Sequence, residues 1–491
     1  TKKISSPIVN TNIRIVASAE TDSRAQSMVT ELEATFNQFA KPQANGLKWR
    51  RLSSGELFKG IHQFSFRTFD DAQSFPLNLK ELTTMVHFPV SSLSSAELKE
   101  AKAGVAPAPL GMPSEGITLG VNNYHNKETL VRMGREDRVR HMYVIGQTGT
   151  GKSHILKTMI VQDIKNGDGV CFIDPHGNDV QDILSLIPPE RMKDVIYFDP
   201  AHVEHPMGLN MLEYDVRHPE QKTLVINEMM NIFNQLFDMK VGGGAMFELY
   251  FRNAALLVME DTTEQATLLD ITRALSEKAF RDMKLARCKN PIIVQFWASA
   301  EKTTGDSGLA NFVPYISSKF DPLISNDFMR PVVLQRNSAF NFRQIMDEKK
   351  ILLVNLSKGR LGDINASLIG LILVGKITLA ALSRVDMFGS GKKPNDFYLY
   401  IDEFQNVTTP SIASILSEAR KYRLSLNVAH QYISQLSEEI KKAIFGNVGS
   451  MAIFRVGAED AEYLESKVAP TFTKDDIMRL DNFNCYVNML V

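Results

Sequence analysis

What this sequence has little of narrows its chemistry before any motif is considered. Of its 491 residues only three are cysteine (Cys171, Cys288 and Cys485), and none stands at a metal-ligand or redox spacing. That excludes disulfide scaffolds, zinc modules and thiol-redox enzymes, and it fits a reducing cytosol. An excess of charge of one sign is also missing, since 55 basic and 56 acidic side chains leave a formal net charge of −1. The chain as a whole carries no basic signature for nucleic acid. DNA is not excluded by this, because a few cations facing one channel suffice to meet it. Long apolar runs are absent too, and none approaches the roughly 18 residues of a membrane span. The best candidate, Ala366 to Val374, is cut by Lys376 and reads as a buried helix. The first residues do not read as a secretory leader. They open on Thr1 without a methionine, which leaves room for an upstream segment such as a membrane anchor.

What is present is ample core and one sharp motif. With 44% hydrophobic residues the chain can bury sizeable cores, and its length suggests two to four domains. The motif is His141-Met-Tyr-Val-Ile-Gly-Gln-Thr-Gly-Thr-Gly-Lys-Ser153. Met142 to Ile145 reads as a buried parallel strand, Gly146 to Gly151 as a Gly-rich turn. Ile155, Leu156, Met159, Ile160 and Ile164 then recur at helical spacing and stop at Gly167. Strand, G-x-x-x-x-G-K-[ST] loop and helix in that order form a phosphate-cradling P-loop. Its chemistry suits ATP with Mg²⁺: backbone N–H groups and the helix N-terminus face phosphate oxygens. The nucleotide contacts are expected from Gly146, Gln147, Thr148, Gly149, Thr150, Gly151, Lys152, Ser153 and His154. Lys152 reaches the β and γ phosphates, and the Ser153 hydroxyl sits on the metal.

Apart from the motif, the pattern divides the chain. Asn12 to Ser18 alternates like a strand, and Thr21 or Asp22 is placed to cap a helix whose face carries Ala25, Met28, Val29, Leu32 and Phe36. A second strand near His62 to Thr68 and a helix from Leu77 to Val86 complete a small N-terminal α+β domain, 1–90. Ser, Ala, Pro and Gly then mark a linker, 91–116. Short strands at Ile117–Gly120 and Thr129–Met133 lead into the P-loop, and Gly169–Asp174 and Asp194–Asp199 read as further strands. Strands alternating with helices predict an α/β core with a parallel central sheet, beginning at 117–210. Residues 211–343 turn mostly helical and read as an inserted all-α domain. The sheet resumes at Ile351–Asn355 and runs through 344–491.

The second half of the site is expected far downstream. Phe397-Tyr-Leu-Tyr-Ile401 is an apolar strand ending in Asp402-Glu403. An Asp so placed holds Mg²⁺ through water, and a neighbouring Glu activates the attacking water. Asp402 stands 250 positions beyond Lys152, a gap that the helical block fills. Gln431, at the end of a later strand, is placed to sense the γ-phosphate. Arg420 is a candidate for an arginine supplied to a neighbouring subunit, although beside Lys421 and Arg423 it equally suits a solvated face; Arg360 is the competitor. His176 has no Cys or His partner at ligand spacing and reads as a loop residue near the nucleotide. Gly242 to Gly244 reads as a flexible turn.

With these motifs placed, the chain resembles the FtsK–HerA superfamily of hexameric motor ATPases. It looks most like the type IV secretion and conjugation ATPases, including the TraD/TraG-type coupling proteins. The resemblance rests on Asp137 to Ser153, Phe172 to Gly177, Tyr400 to Phe404, Glu418 to Leu424 and Ala429 to Gln431. Gly446 to Gly457 looks like the strand that closes the core in this group, and Leu79–Leu82 to His87-Phe-Pro89 is similar to the lead-in domain of secretion ATPases. The resemblance implies a RecA-like core, a homo-hexameric ring, and ATP-driven movement of DNA through its centre. It also implies relaxosome and secretion-channel partners, and a place in the cytoplasm at the inner face of an inner membrane. Two other roles are compatible: an assembly ATPase acting on protein components, and a HerA-like DNA-processing translocase.

Overall fold

The structure is a computed structural model that describes residues 6–40, 46–53, 55–85, 103–237, 244–389, 391–409 and 411–489. The chain forms two compact units, Thr1–Lys99 and Glu100–Val491. In the first, β1 (Ile8–Thr11) pairs antiparallel with β2 (Phe75–Asn78). Around them lie α1 (Asp22–Thr35), α2 (Gly55–Ser65) and α3 (Leu79–Met85). Thr21 caps α1, its hydroxyl accepting from Arg24 N at 3.4 Å.

Two strands expected here are absent. Asn12 to Ser18 leaves the ladder because Asn12 and Arg14 bond elsewhere: Asn12 exchanges hydrogen bonds with the Asp70 backbone, and Arg14 donates to Thr68 O. The alternation of His62 to Thr68 is not a sheet face either. Its first half is the end of α2, where Gly60 and Gln63 point inward three residues apart, and Phe64 and Phe66 stay exposed. The segment His87 to Pro89, the first part of the linker, and Gly242 and Gly243 lie outside the described residues.

The second unit holds an eight-stranded sheet in the order β12-β11-β5-β10-β9-β6-β8-β7. These are β5 (Met142–Ile145), β6 (Gly169–Asp174), β7 (Val195–Phe198), β8 (Ile351–Asn355), β9 (Phe397–Ile401), β10 (Leu424–His430), β11 (Ser450–Ile453) and β12 (Tyr486–Asn488). All pairs are parallel except β11 with β12. Every residue of β5, β6, β8, β9, β10 and β11 is buried. Parallel strands covered on both faces need apolar residues at each position, which is why they read as runs. A separate antiparallel hairpin, β3 (Ile117–Tyr124) and β4 (Lys127–Met133), precedes α4 (Arg135–Arg138) and β5. β11 is not the closing strand, because β12 adds a further antiparallel edge beyond it.

Helices pack the sheet: α5 (Lys152–Lys165) follows β5, and α6 (Asn178–Ser185) follows β6. Between β7 and β8 the chain is helical, from α7 (Gln221–Phe237) through Gly244–Glu260, Leu268–Ser276, Lys278–Arg287 and Pro291–Ala310 to Val313–Ile324. The segment Asp363–Gly389 is long and apolar enough to cross a membrane by length and composition. Its most apolar window is 67% buried inside the protein, as a core helix would be. The architecture is thus α/β, a RecA-like core with a mostly helical insertion and a small N-terminal α+β unit.

Candidate functional site

The site is built at the C-terminal ends of three adjacent strands, β5, β10 and β9. In open parallel sheets the loops leaving that edge converge on ligands. Gly146 leaves β5 where a side chain has no room: a Cβ would stand 2.5 Å from Phe454 Cβ. Gly151 takes φ 119°, a left-handed conformation that turns the loop into α5. Between them Thr150 is buried, its hydroxyl donating to Gln147 O at 2.7 Å. The loop thus wraps the N-terminus of α5, whose first amides have no partner within the helix. The Lys152 ammonium lies across it and donates to Gln147 O at 3.1 Å. Burial pushes the Lys152 pKa down, against the pull of Asp402 and Glu403.

One flank of the loop carries the acids. Ser153 Oγ donates to Asp402 Oδ2 at 2.7 Å, so hydroxyl and carboxylate already share one point. Burial pushes the Asp402 carboxyl pKa up, and the Ser153 hydrogen bond opposes it. Glu403 takes a left-handed conformation, φ 46°, which turns it off the end of β9. Its two oxygens each accept from an amide: Gln431 Nε2 on Oε1 and Gln405 Nε2 on Oε2, both at 2.6 Å. Gln431 Oε1 in turn accepts from Thr148 Oγ1 at 3.1 Å. Gln431 therefore ties the P-loop to Glu403 across β10. Behind it, His430 is buried against Tyr143 Oη at 3.3 Å, and burial pushes its pKa down to about 4.

The other flank is made by the chain after β11 and before β12. Gln147 N donates to Arg455 O at 2.8 Å, and Phe483 N donates to Thr150 O at 2.7 Å. A Cβ on Gly151 would fall 3.1 Å from the Phe454 ring and 3.2 Å from that of Phe483. His154, exposed at the start of α5, faces Phe483 edge-on.

The structure brings Gly146 to His154, Asp402, Glu403 and Gln431 into one cluster. It places Arg420 elsewhere, in the turn before β10, exposed at the opposite edge of the sheet. The seven residues of β10 put about 20 Å between Arg420 and its own P-loop. There it lines a cavity of about 490 Å³ with Arg140 and Lys467, and among the described residues no carboxylate lines that cavity. Arg360 follows β8, donates to Ala201 O at 3.0 Å and lies over the Phe328 ring. His176 is an exposed loop residue whose N–H donates to Asp174. Asp174 also accepts from Asp179 N and Val180 N, which spends its carboxylate on holding the start of α6. Two neighbours of the site were not visible in the sequence, Gln405 and Phe483. Phe483 stands 331 positions beyond Lys152 with no motif around it, so only the fold brings it near.

A Gly-rich loop on β5, acids on β9 and a glutamine on β10 define a P-loop nucleoside-triphosphatase core. The family model for the central domain of the helicase HerA matches residues 135–358. That for the TraM recognition site of TraD and TraG matches residues 396–479. No curated protein sequence matches the chain. Among solved structures, the bacterial conjugative coupling protein TrwB lacking its first 70 residues superposes with TM-score 0.50 at 16% identity, covering 73% of this chain and 85% of that one. The plasmid coupling protein TrwB in complex with a non-hydrolysable GTP analogue gives TM-score 0.51 at 15% identity over the same shares. VirB4 of Thermoanaerobacter pseudethanolicus gives 0.49 at 14% identity, over 74% of this chain and 89% of that one. Over these two stretches the chain is similar to the HerA-type and TraD/TraG-type ATPases, and it shares the fold of the TrwB coupling protein.

Proposed function

We propose that the chain is the subunit of an ATP-hydrolysing motor that moves DNA in conjugative transfer. The observation that carries the ATP-hydrolysing part of this reading is the hydrogen-bonded line from Thr148 through Gln431 to Glu403, lying beside Ser153 and Asp402. It joins a phosphate cradle, a γ-phosphate sensor and a base for water in one site. Lys152 binds the β and γ phosphates, and Ser153 and Asp402 hold Mg²⁺. The metal supplies neutralisation of the charge that builds on the phosphoryl oxygens. Glu403 takes the proton of the attacking water, and Gln431 reports on the γ-phosphate through Thr148 and Glu403.

Arg420 is too far from its own P-loop to act there, and among the described residues no carboxylate lines the cavity it shares with Arg140 and Lys467. Both facts suit an arginine offered to the nucleotide of the next subunit in a homo-hexamer. Mixing Arg420→Ala subunits with Glu403→Gln subunits is expected to leave less activity than the two populations would show separately. Activities that simply add would remove Arg420 from that role.

The match to the TraM recognition site supports conjugation over general DNA processing, and it is compatible with a relaxosome protein as partner. The site of action proposed is the cytoplasmic face of an inner membrane, beside the secretion channel. The test of cargo is ATP turnover with and without single- and double-stranded DNA. Several-fold stimulation is expected; a verified ring indifferent to every DNA would point instead to an assembly ATPase working on protein components.

A further inference from the structure

A nucleotide held by the P-loop has its γ-phosphate on the flank of Asp402, Glu403 and Gln431, toward β10 and β9. Its base must then leave on the opposite flank, toward β11 and β12. Among the described residues, that flank presents one exposed phenylalanine ring. Phe483 is 70% exposed although its backbone is fixed to the loop, its N–H donating to Thr150 O at 2.7 Å. The turn that carries it is held by Arg455, which donates to Leu480 O at 3.1 Å and Asn482 Oδ1 at 2.8 Å. The carbonyl of the same Arg455 accepts from Gln147 N, so one residue spaces the turn from the phosphate loop. Phe483 has φ 63°, a left-handed conformation that an aromatic residue adopts at a cost. Packing does not explain the ring, because most of its surface is open. The His154 ring stands edge-on to it at 6.2 Å and 83°.

We propose that Phe483 and His154 form the nucleobase subsite, the Phe483 ring stacking on the purine of ATP and His154 flanking it. The proposal rests on the nucleotide reading of Gly146 to Ser153 and adds to it the residues that recognise the base. An aromatic face stacks on any base without a hydrogen-bond code, which gives affinity with little preference between purines.

The experiment compares ATP with inorganic tripolyphosphate, which has the phosphate chain and no base. Phe483→Gly removes the ring and relieves the left-handed backbone, so the turn is kept. It is expected to weaken ATP binding about tenfold and leave tripolyphosphate binding unchanged. Phe483→Trp is expected to restore ATP affinity, and its indole emission should change on adding ATP but not tripolyphosphate. Unchanged ATP affinity in Phe483→Gly overturns the proposal. So does a parallel loss of ATP and tripolyphosphate, which would make Phe483 a prop of the phosphate loop. Wild-type protein that binds neither ligand overturns the nucleotide reading itself.

Discussion

Lys152→Ala is expected to abolish detectable ATP binding, and turnover with it. The Lys152 ammonium is the cation lying within the loop, 94% removed from solvent, held to Gln147 O until phosphate oxygens replace that carbonyl. Hydrogen bonds from a charged donor contribute about 1.5–3 kcal/mol each. Losing two or three of them weakens binding by at least about two orders of magnitude. Alanine also leaves Asp402 and Glu403 facing the triphosphate without the cation that now offsets them. Titration with a fluorescent ATP analogue checks this. Tight binding by the variant would contradict the assignment of the loop.

Glu403→Gln is expected to separate binding from chemistry: ATP still binds, while turnover falls about a thousandfold, within the usual range for losing a general base. Retained wild-type turnover would remove Glu403 as the base. The local structure should survive the change. Glu403 accepts two amides, from Gln431 and Gln405, and a glutamine at 403 must turn its own NH₂ toward one of them. Gln405 relieves the clash by rotating its amide, since its Oε1 is buried with no partner. Thermal unfolding should therefore shift little, which distinguishes lost chemistry from lost fold.

The core strands were legible in the sequence for a physical reason. β5, β6, β8 and β9 are buried on both faces, so each is a short apolar run bounded by polar residues. The P-loop and the Asp402-Glu403 end of β9 follow from such runs directly. The N-terminal unit was harder because little of it is buried. With no buried residue in α1, side-chain hydrogen bonds such as those of Asn12 decided the backbone, and alternation misled. Arg420 stayed ambiguous because its position relative to the P-loop is a property of the sheet edge, not of its neighbours in sequence. Phe483 left no local trace at all.

The order of the sheet also has a consequence for the newborn chain. β5 is made early, yet both of its ladder partners, β10 and β11, come from the last 70 residues of the sequence. Such pairings between distant segments are costly to close and slow to form. A ribosome-tethered chain that has emerged only as far as β9 holds the P-loop sequence without the strands on either side of it. Gln431, Arg455 and Phe483 are also still to come. The capacity to hold nucleotide is therefore expected to arise late in synthesis, after the helical insertion has had time to fold.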